Sequence, residues 1–126
     1  MSCENKTFAA RRGAQGEERV AAYLRSKGCI IVRRNYRDRF GEIDIIAESK
    51  SYLIFVEVKT RKKGALVSGF EAVDRAKQRR VRNTGIMFAK RLFCNLPLRF
   101  DVAQVTVETM ADGSEKWHLE YLKNAF

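Results

Sequence analysis

Asp44, Glu57 and Lys59 are the residues whose types and spacing could do chemistry together. A pair of carboxylates a few ångströms apart forms a hard oxygen site that suits Mg²⁺. A lysine beside them could orient a water or steady negative charge on a phosphate, and that combination serves metal-assisted hydrolysis of a phosphodiester. The plainer reading makes Glu57 and Lys59 an ordinary same-face ion pair near a strand end, with Asp44 a solvated neighbour. The triplet by itself does not separate the two.

The elements that must position these residues are two strands, residues 42–47 and 52–60, rich in β-branched and aromatic side chains and joined by a polar turn at residues 48–51. Strand alternation puts Leu53, Phe55, Glu57 and Lys59 on one face and Ile54, Val56 and Val58 on the other. On the first strand it groups Glu42, Asp44 and Ile46 opposite Ile43 and Ile45. Folding the pair back brings Asp44 near residues 55–57, on the side of Glu57 and Lys59. Both faces carry large apolar residues, so the sheet is expected to lie between helices.

The chain has 126 residues and reads as one domain, with 45% hydrophobic and 32% charged residues placing it among soluble globular proteins. No run of 18 apolar residues appears, so no membrane partner is expected. The three cysteines, Cys3, Cys29 and Cys94, are widely spaced, and His118 is the only histidine. That argues against a disulfide framework, a zinc hydrolase and a serine triad, and favours the cytoplasm. The net charge is +10 and unevenly spread. Residues 1–40 carry ten Lys/Arg against four acids, and residues 61–93 carry ten against two. Residues 41–60 reverse the sign, with two lysines against four acids. An acidic island between basic arms points to a polyanion, most simply nucleic acid.

Along the chain, the first dozen residues read as loose, and residues 14–27 read as a helix with Val20, Tyr23 and Leu24 on one face and Gly28 as its stop. Glu17 falls in its first turn, where a carboxylate suits the helix dipole; pointing it at the sheet as a further acid is the functional alternative. Residues 29–32 form a short strand followed by Arg33, Arg34, Asn35, Tyr36 and Arg37, a group able to grip phosphates. Beyond Lys59, the side chains of Thr60 to Lys63 could follow a nucleic-acid backbone, and a loop that Gly64 and Gly69 would let move comes next. A long helix then runs from Asp74 as N-cap to about Phe93, with Ala76, Val81, Thr84, Met87 or Phe88, and Leu92 as its apolar stripe. Arg75, Lys77, Gln78, Arg79, Arg80 and Arg82 fall on its other face. Gly85 marks a bend or a close approach. Residues 99–108 alternate as a strand, reached through the helix and so parallel to its predecessor. Asp112-Gly113 turns the chain into a return strand over residues 117–122.

Asp44 followed by Glu57-x-Lys59 resembles the PD-(D/E)xK nuclease signature, with Ile43 where the superfamily has proline. Over nearly its whole length the chain resembles the YraN-like family of predicted bacterial endonucleases. The matching pieces are Gly16-Glu17, Ala22-Tyr23-Leu24, Arg34-Asn35-Tyr36-Arg37, Gly41-Glu42-Ile43-Asp44 and Phe55 through Arg61. Lys77-Gln78-Arg79, Arg99-Phe100-Asp101-Val102 and Asn124-Ala125-Phe126 complete them.

The resemblance implies a restriction-endonuclease-like αβββαβ core, a mixed central sheet flanked by helices, with a C-terminal hairpin strand. It implies Asp44, Glu57 and the main-chain carbonyl of Val58 as ligands of Mg²⁺ or Mn²⁺, and Lys59 as the catalytic lysine. Archaeal Holliday-junction resolvases share this core and carry a glutamate on their first helix; by that analogy Glu17 joins the metal site through a water, and a homodimer is expected. Glu42 is a reserve acid on the same face. Arg33, Arg37, Arg61, Lys62, Lys77 and Arg80 are expected to hold the backbone of branched or duplex DNA, with RNA as the second candidate. Such contacts carry no sequence information, so structure-selective or non-specific cleavage is expected. The alternative is a non-catalytic nucleic-acid-binding module on the same scaffold.

Overall fold

The computed structural model describes residues 8–64 and 73–126. In chain order these form α1 (Phe8–Ser26), β1 (Ile30–Asp38), β2 (Gly41–Glu48), β3 (Leu53–Lys62), α2 (Arg75–Leu92), β4 (Leu98–Thr109) and β5 (Glu115–Leu122). The strands make one five-stranded sheet in the order β1-β2-β3-β4-β5. Only β3 and β4 run parallel, from Leu53↔Leu98 to Lys62↔Val107; the other neighbours are antiparallel. The α2 crossover between β3 and β4 accounts for that parallel pair.

The helices cover opposite faces. Val20, Ala21 and Leu24 of α1 pack with Ile45, Ala47, Ile54, Val56, Ala103 and Val105. Val81, Phe88 and Ala89 of α2 pack with Ile43, Ile46, Leu53, Phe55 and Phe100. The expected alternation of β3 therefore holds, with Leu53 and Phe55 under α2 and Ile54 and Val56 under α1. This is a mixed α/β fold, and among the described residues no helix is long and apolar enough to cross a membrane.

Several boundaries differ from expectation for local reasons. The first helix begins at Phe8, so residues 8–12, expected to be loose, are helical. Glu17 therefore sits well inside α1 and not in its first turn, which removes the helix dipole as its explanation. The helix does stop as expected: Gly28 has φ +87°, and the Cys29 N–H donates back to the Leu24 carbonyl at 3.0 Å. The first strand continues to Asp38 because pairing with β2 continues through Arg37↔Glu42, so Arg33 to Arg37 belong to an edge strand and not to a tail beyond it. The expected loop to Gly69 lies outside the described residues.

In β2 the alternation reverses at Asp44. Ile43 and Ile46 pack in the α2 cluster, and Ile45 in the α1 cluster, so Ile43 and Ile45 do not share a face as strict alternation requires. Opposite the reversal, between the pairs Arg34↔Ile45 and Tyr36↔Ile43, Asn35 takes the left-handed conformation with φ 52°. The β2–β3 ladder ends at the same level, at Ile45↔Val56. A polar site therefore opens where two strands part.

The second helix starts at Asp74, whose carboxylate accepts the Lys77 main-chain N–H at 2.9 Å. Its buried stripe is Val81, Thr84, Gly85, Phe88 and Ala89; Ala76 and Leu92, expected on it, are exposed. Gly85 serves a close approach, since a Cβ there would stand 2.9 Å from Phe100 Cε1.

Candidate metal and phosphate site

Asp44 crosses the gap between the parting strands and accepts the Val58 N–H at 2.8 Å through Oδ2. It thus replaces the ladder acceptor that β2 no longer offers. The next residue back on β3, Glu57, is only 1% exposed. A wholly buried carboxylate is costly unless it is protonated, paired or bound to a metal. Here Glu57 lies within hydrogen-bonding reach of the Asp44 carboxyl. Lys59 Nζ stands 3.9 Å from Glu57 Oε2. The triplet singled out from sequence is therefore a single cluster.

Burial, followed by repulsion from Asp44, raises Glu57 to about 7. Burial also raises Asp44, against the Val58 N–H and the nearby lysines. Lys59 is pulled down by burial first and then by the closeness and like charge of Lys77. Lys77 is a member of the cluster that sequence reasoning placed elsewhere. Its ammonium lies 2.7 Å from Glu57 Oε2, off the hydrogen-bonding directions, so Oε2 is buried without an aligned hydrogen bond. Burial pulls Lys77 down, yet Glu57, Lys59 and Asp44 together leave it raised. Expected on the solvated face of α2, it instead turns to the sheet and meets Glu57 on β3. No local pattern marked it, because the approach of α2 to β3 is a long-range distance.

Most of the chain matches a known family. The model of the uncharacterised protein family UPF0102 matches residues 16–105. A UPF0102 protein of Clostridium botulinum is 36% identical over 116 residues, spanning 90% of this chain and 92% of its own. One from Porphyromonas gingivalis is 40% identical over 115 residues, spanning 91% and 83%, respectively. One from Alkaliphilus metalliredigens is 39% identical over 115 residues, spanning 90% and 96%. The chain belongs to UPF0102.

In this UPF0102 chain Glu17 faces the sheet, its side chain 17% exposed against 59% for the neighbouring Glu18. Arg34 Nη2 lies 3.9 Å from it, and Asn35 hydrogen-bonds it. Burial and then the charge of Asp44 raise its pKa. The helix comes this close because residue 16 is glycine: a Cβ there would overlap Thr60 Oγ1. Among the described residues, however, no three of His, Cys, Asp or Glu converge as a metal cage. The arrangement offers two adjoining carboxylates with a third one layer out. Glu42, the reserve acid, is exposed and takes Arg37 at 2.8 Å, so it stands outside the cluster.

The expected phosphate-holding residues are dispersed around the site. Arg61 and Lys62 line a cavity of about 360 Å³ with Arg12, Gly13, Glu17, Val58, Lys59 and Thr60. Arg80 lies against Gly41 on the α2 side. Arg33 is exposed, its guanidinium 6.0 Å from the Tyr36 ring.

Proposed function

We propose that this protein is a metal-dependent endonuclease that hydrolyses DNA phosphodiesters, on a restriction-endonuclease-like scaffold akin to that of junction resolvases. The observation that carries this reading is the meeting of Asp44, Glu57 and Lys59 at the point where β2 and β3 part. The residues fit a hard divalent cation: Glu57 Oε2 is buried without an aligned hydrogen bond, and the donors are two carboxylates. Mg²⁺ is commonly bound by one or two carboxylates together with waters and substrate phosphate. Asp44, Glu57 and the Val58 carbonyl would hold it, with Glu17 reached through a water. A bound Mg²⁺ or Mn²⁺ supplies Lewis-acid stabilisation of the phosphorane charge and a more acidic water.

Lys59, half-buried beside these acids, holds the attacking water or takes its proton, and its depressed pKa suits that task. Arg61 and Lys62 at the cleft, and Arg33 and Arg80 further out, bind the sugar-phosphate backbone. Those contacts read no bases, so cleavage is structure-selective or non-specific on branched or duplex DNA. Dimerisation follows by analogy with the resolvases, and a cytoplasmic location accords with free thiols at Cys29 and Cys94.

The alternative, a module that binds DNA or RNA without cleaving it, is favoured by one observation: Lys77 already neutralises Glu57. Plasmid nicking in Mg²⁺ or Mn²⁺ separates the readings. Asp44→Ala and Lys59→Ala are each expected to lower the rate by about 10²-fold or more. Nicking that survives both substitutions refutes this site, and metal-independent binding without nicking establishes the module.

A further inference from the structure

Asp44, Glu57, Lys59 and Lys77 form a quartet of two acids and two lysines, formally neutral when all are charged. A divalent cation added to a balanced, buried group leaves excess positive charge, which is costly in a low-dielectric site. One ammonium must then withdraw. Lys59 is the more enclosed, 18% exposed against 29% for Lys77, and its ammonium lies 3.9 Å from Glu57 Oε2, where that of Lys77 lies at 2.7 Å. Lys77 therefore occupies the oxygen that a cation would need. It extends from the first turn of α2 on a flexible four-carbon stem, so its head can move while the helix stays capped by Asp74.

We infer that Lys77 is a placeholder for the metal: its ammonium neutralises Glu57 in the metal-free protein and yields Oε2 to the divalent cation. Once displaced, the ammonium stands beside the site as a cation for the incoming phosphate, so cation loading and substrate capture are linked through one side chain. The inference rests on the metal-site reading above.

Isothermal titration with Mn²⁺ alone, at pH 8 where Glu57 has lost its proton and without nucleic acid, tests it. Lys77→Met removes the competitor and is expected to bind Mn²⁺ roughly tenfold more tightly than wild type; Lys77→Arg, which keeps the charge, is expected to stay within about twofold. Equal or weaker binding by Lys77→Met overturns this inference while leaving the metal site standing. Absence of Mn²⁺ binding by wild type and Lys77→Met alike overturns the metal reading and this inference with it. A readout in the wild-type protein guards against a misfolded variant: acylation of the Lys77 amine, followed by mass spectrometry, is expected to accelerate when Mn²⁺ is added. Unchanged Lys77 reactivity at saturating Mn²⁺ overturns the exchange.

Discussion

Glu57 keeps its proton to about 7, where an unperturbed glutamate releases it near 4.5. Between those values the folded chain holds a proton that the unfolded chain gives up, so the contribution of this group is full below pH 4.5 and is lost as pH rises through 7. The difference corresponds to about 3 kcal/mol. In chelator, urea melts from pH 5 to pH 8 are expected to show stability falling, and Glu57→Gln is expected to flatten that slope and to exceed wild type at pH 8. A variant that keeps the full slope refutes the role of Glu57. Tyr121 is a buried group of a different kind. Burial first, and then its hydrogen bond to Asp101, push its hydroxyl up and keep it protonated, so it contributes a fixed donor and no switch.

Elements place these residues through close approaches at two glycines. Gly16 lets α1 settle against Thr60, which brings Glu17 down beside Asp44, and Gly85 lets α2 lie on the stacked Phe55 and Phe100 rings, whose centroids are 5.1 Å apart. Gly16→Ala gains helix propensity yet must push the helix off the sheet; a net loss of about 1–3 kcal/mol is expected in thermal melts. An increase in stability would show that the helix does not depend on this contact. Asp74→Ala, which removes the α2 cap, is expected to cost about 1 kcal/mol. The Gly16 contact was not legible in the sequence, because the helix pattern shows only that a glycine is tolerated there. Asp74 was legible, since N-cap chemistry is local.

For the whole molecule, the C-terminal residues are tied to the sheet by Asp101, which is wholly buried. It accepts Arg99 through both oxygens at 3.0 and 2.9 Å, the Tyr121 hydroxyl at 2.6 Å and the Asn124 N–H at 2.8 Å. Phe126 then stacks on Phe100 with centroids 5.6 Å apart. Asp101→Ala strands a guanidinium and a phenol, and a loss of about 3–5 kcal/mol is expected in denaturant unfolding. The net charge of +10 bears on association. With Arg37 engaged by Glu42 and Lys77 by Glu57, four of the six proposed backbone-holding cations remain: Arg33, Arg61, Lys62 and Arg80. Log affinity for duplex DNA against log salt is therefore expected to have a slope of about −4 in the absence of metal. A slope near zero would show that these residues do not meet phosphates.

By itself the sequence determined the element order, the two faces of β3, the parallel return through α2 and the meeting of Asp44 with Glu57 and Lys59. Those follow from local periodicity and from pairing neighbours close in the chain. Tertiary structure alone decided that alternation reverses at Asp44, that Glu17 turns inward, and that Lys77 stands on Glu57 and not on the solvated face of its helix. Each of these depends on how strands part and how closely helices approach, and such long-range distances leave no period in the residues that make them.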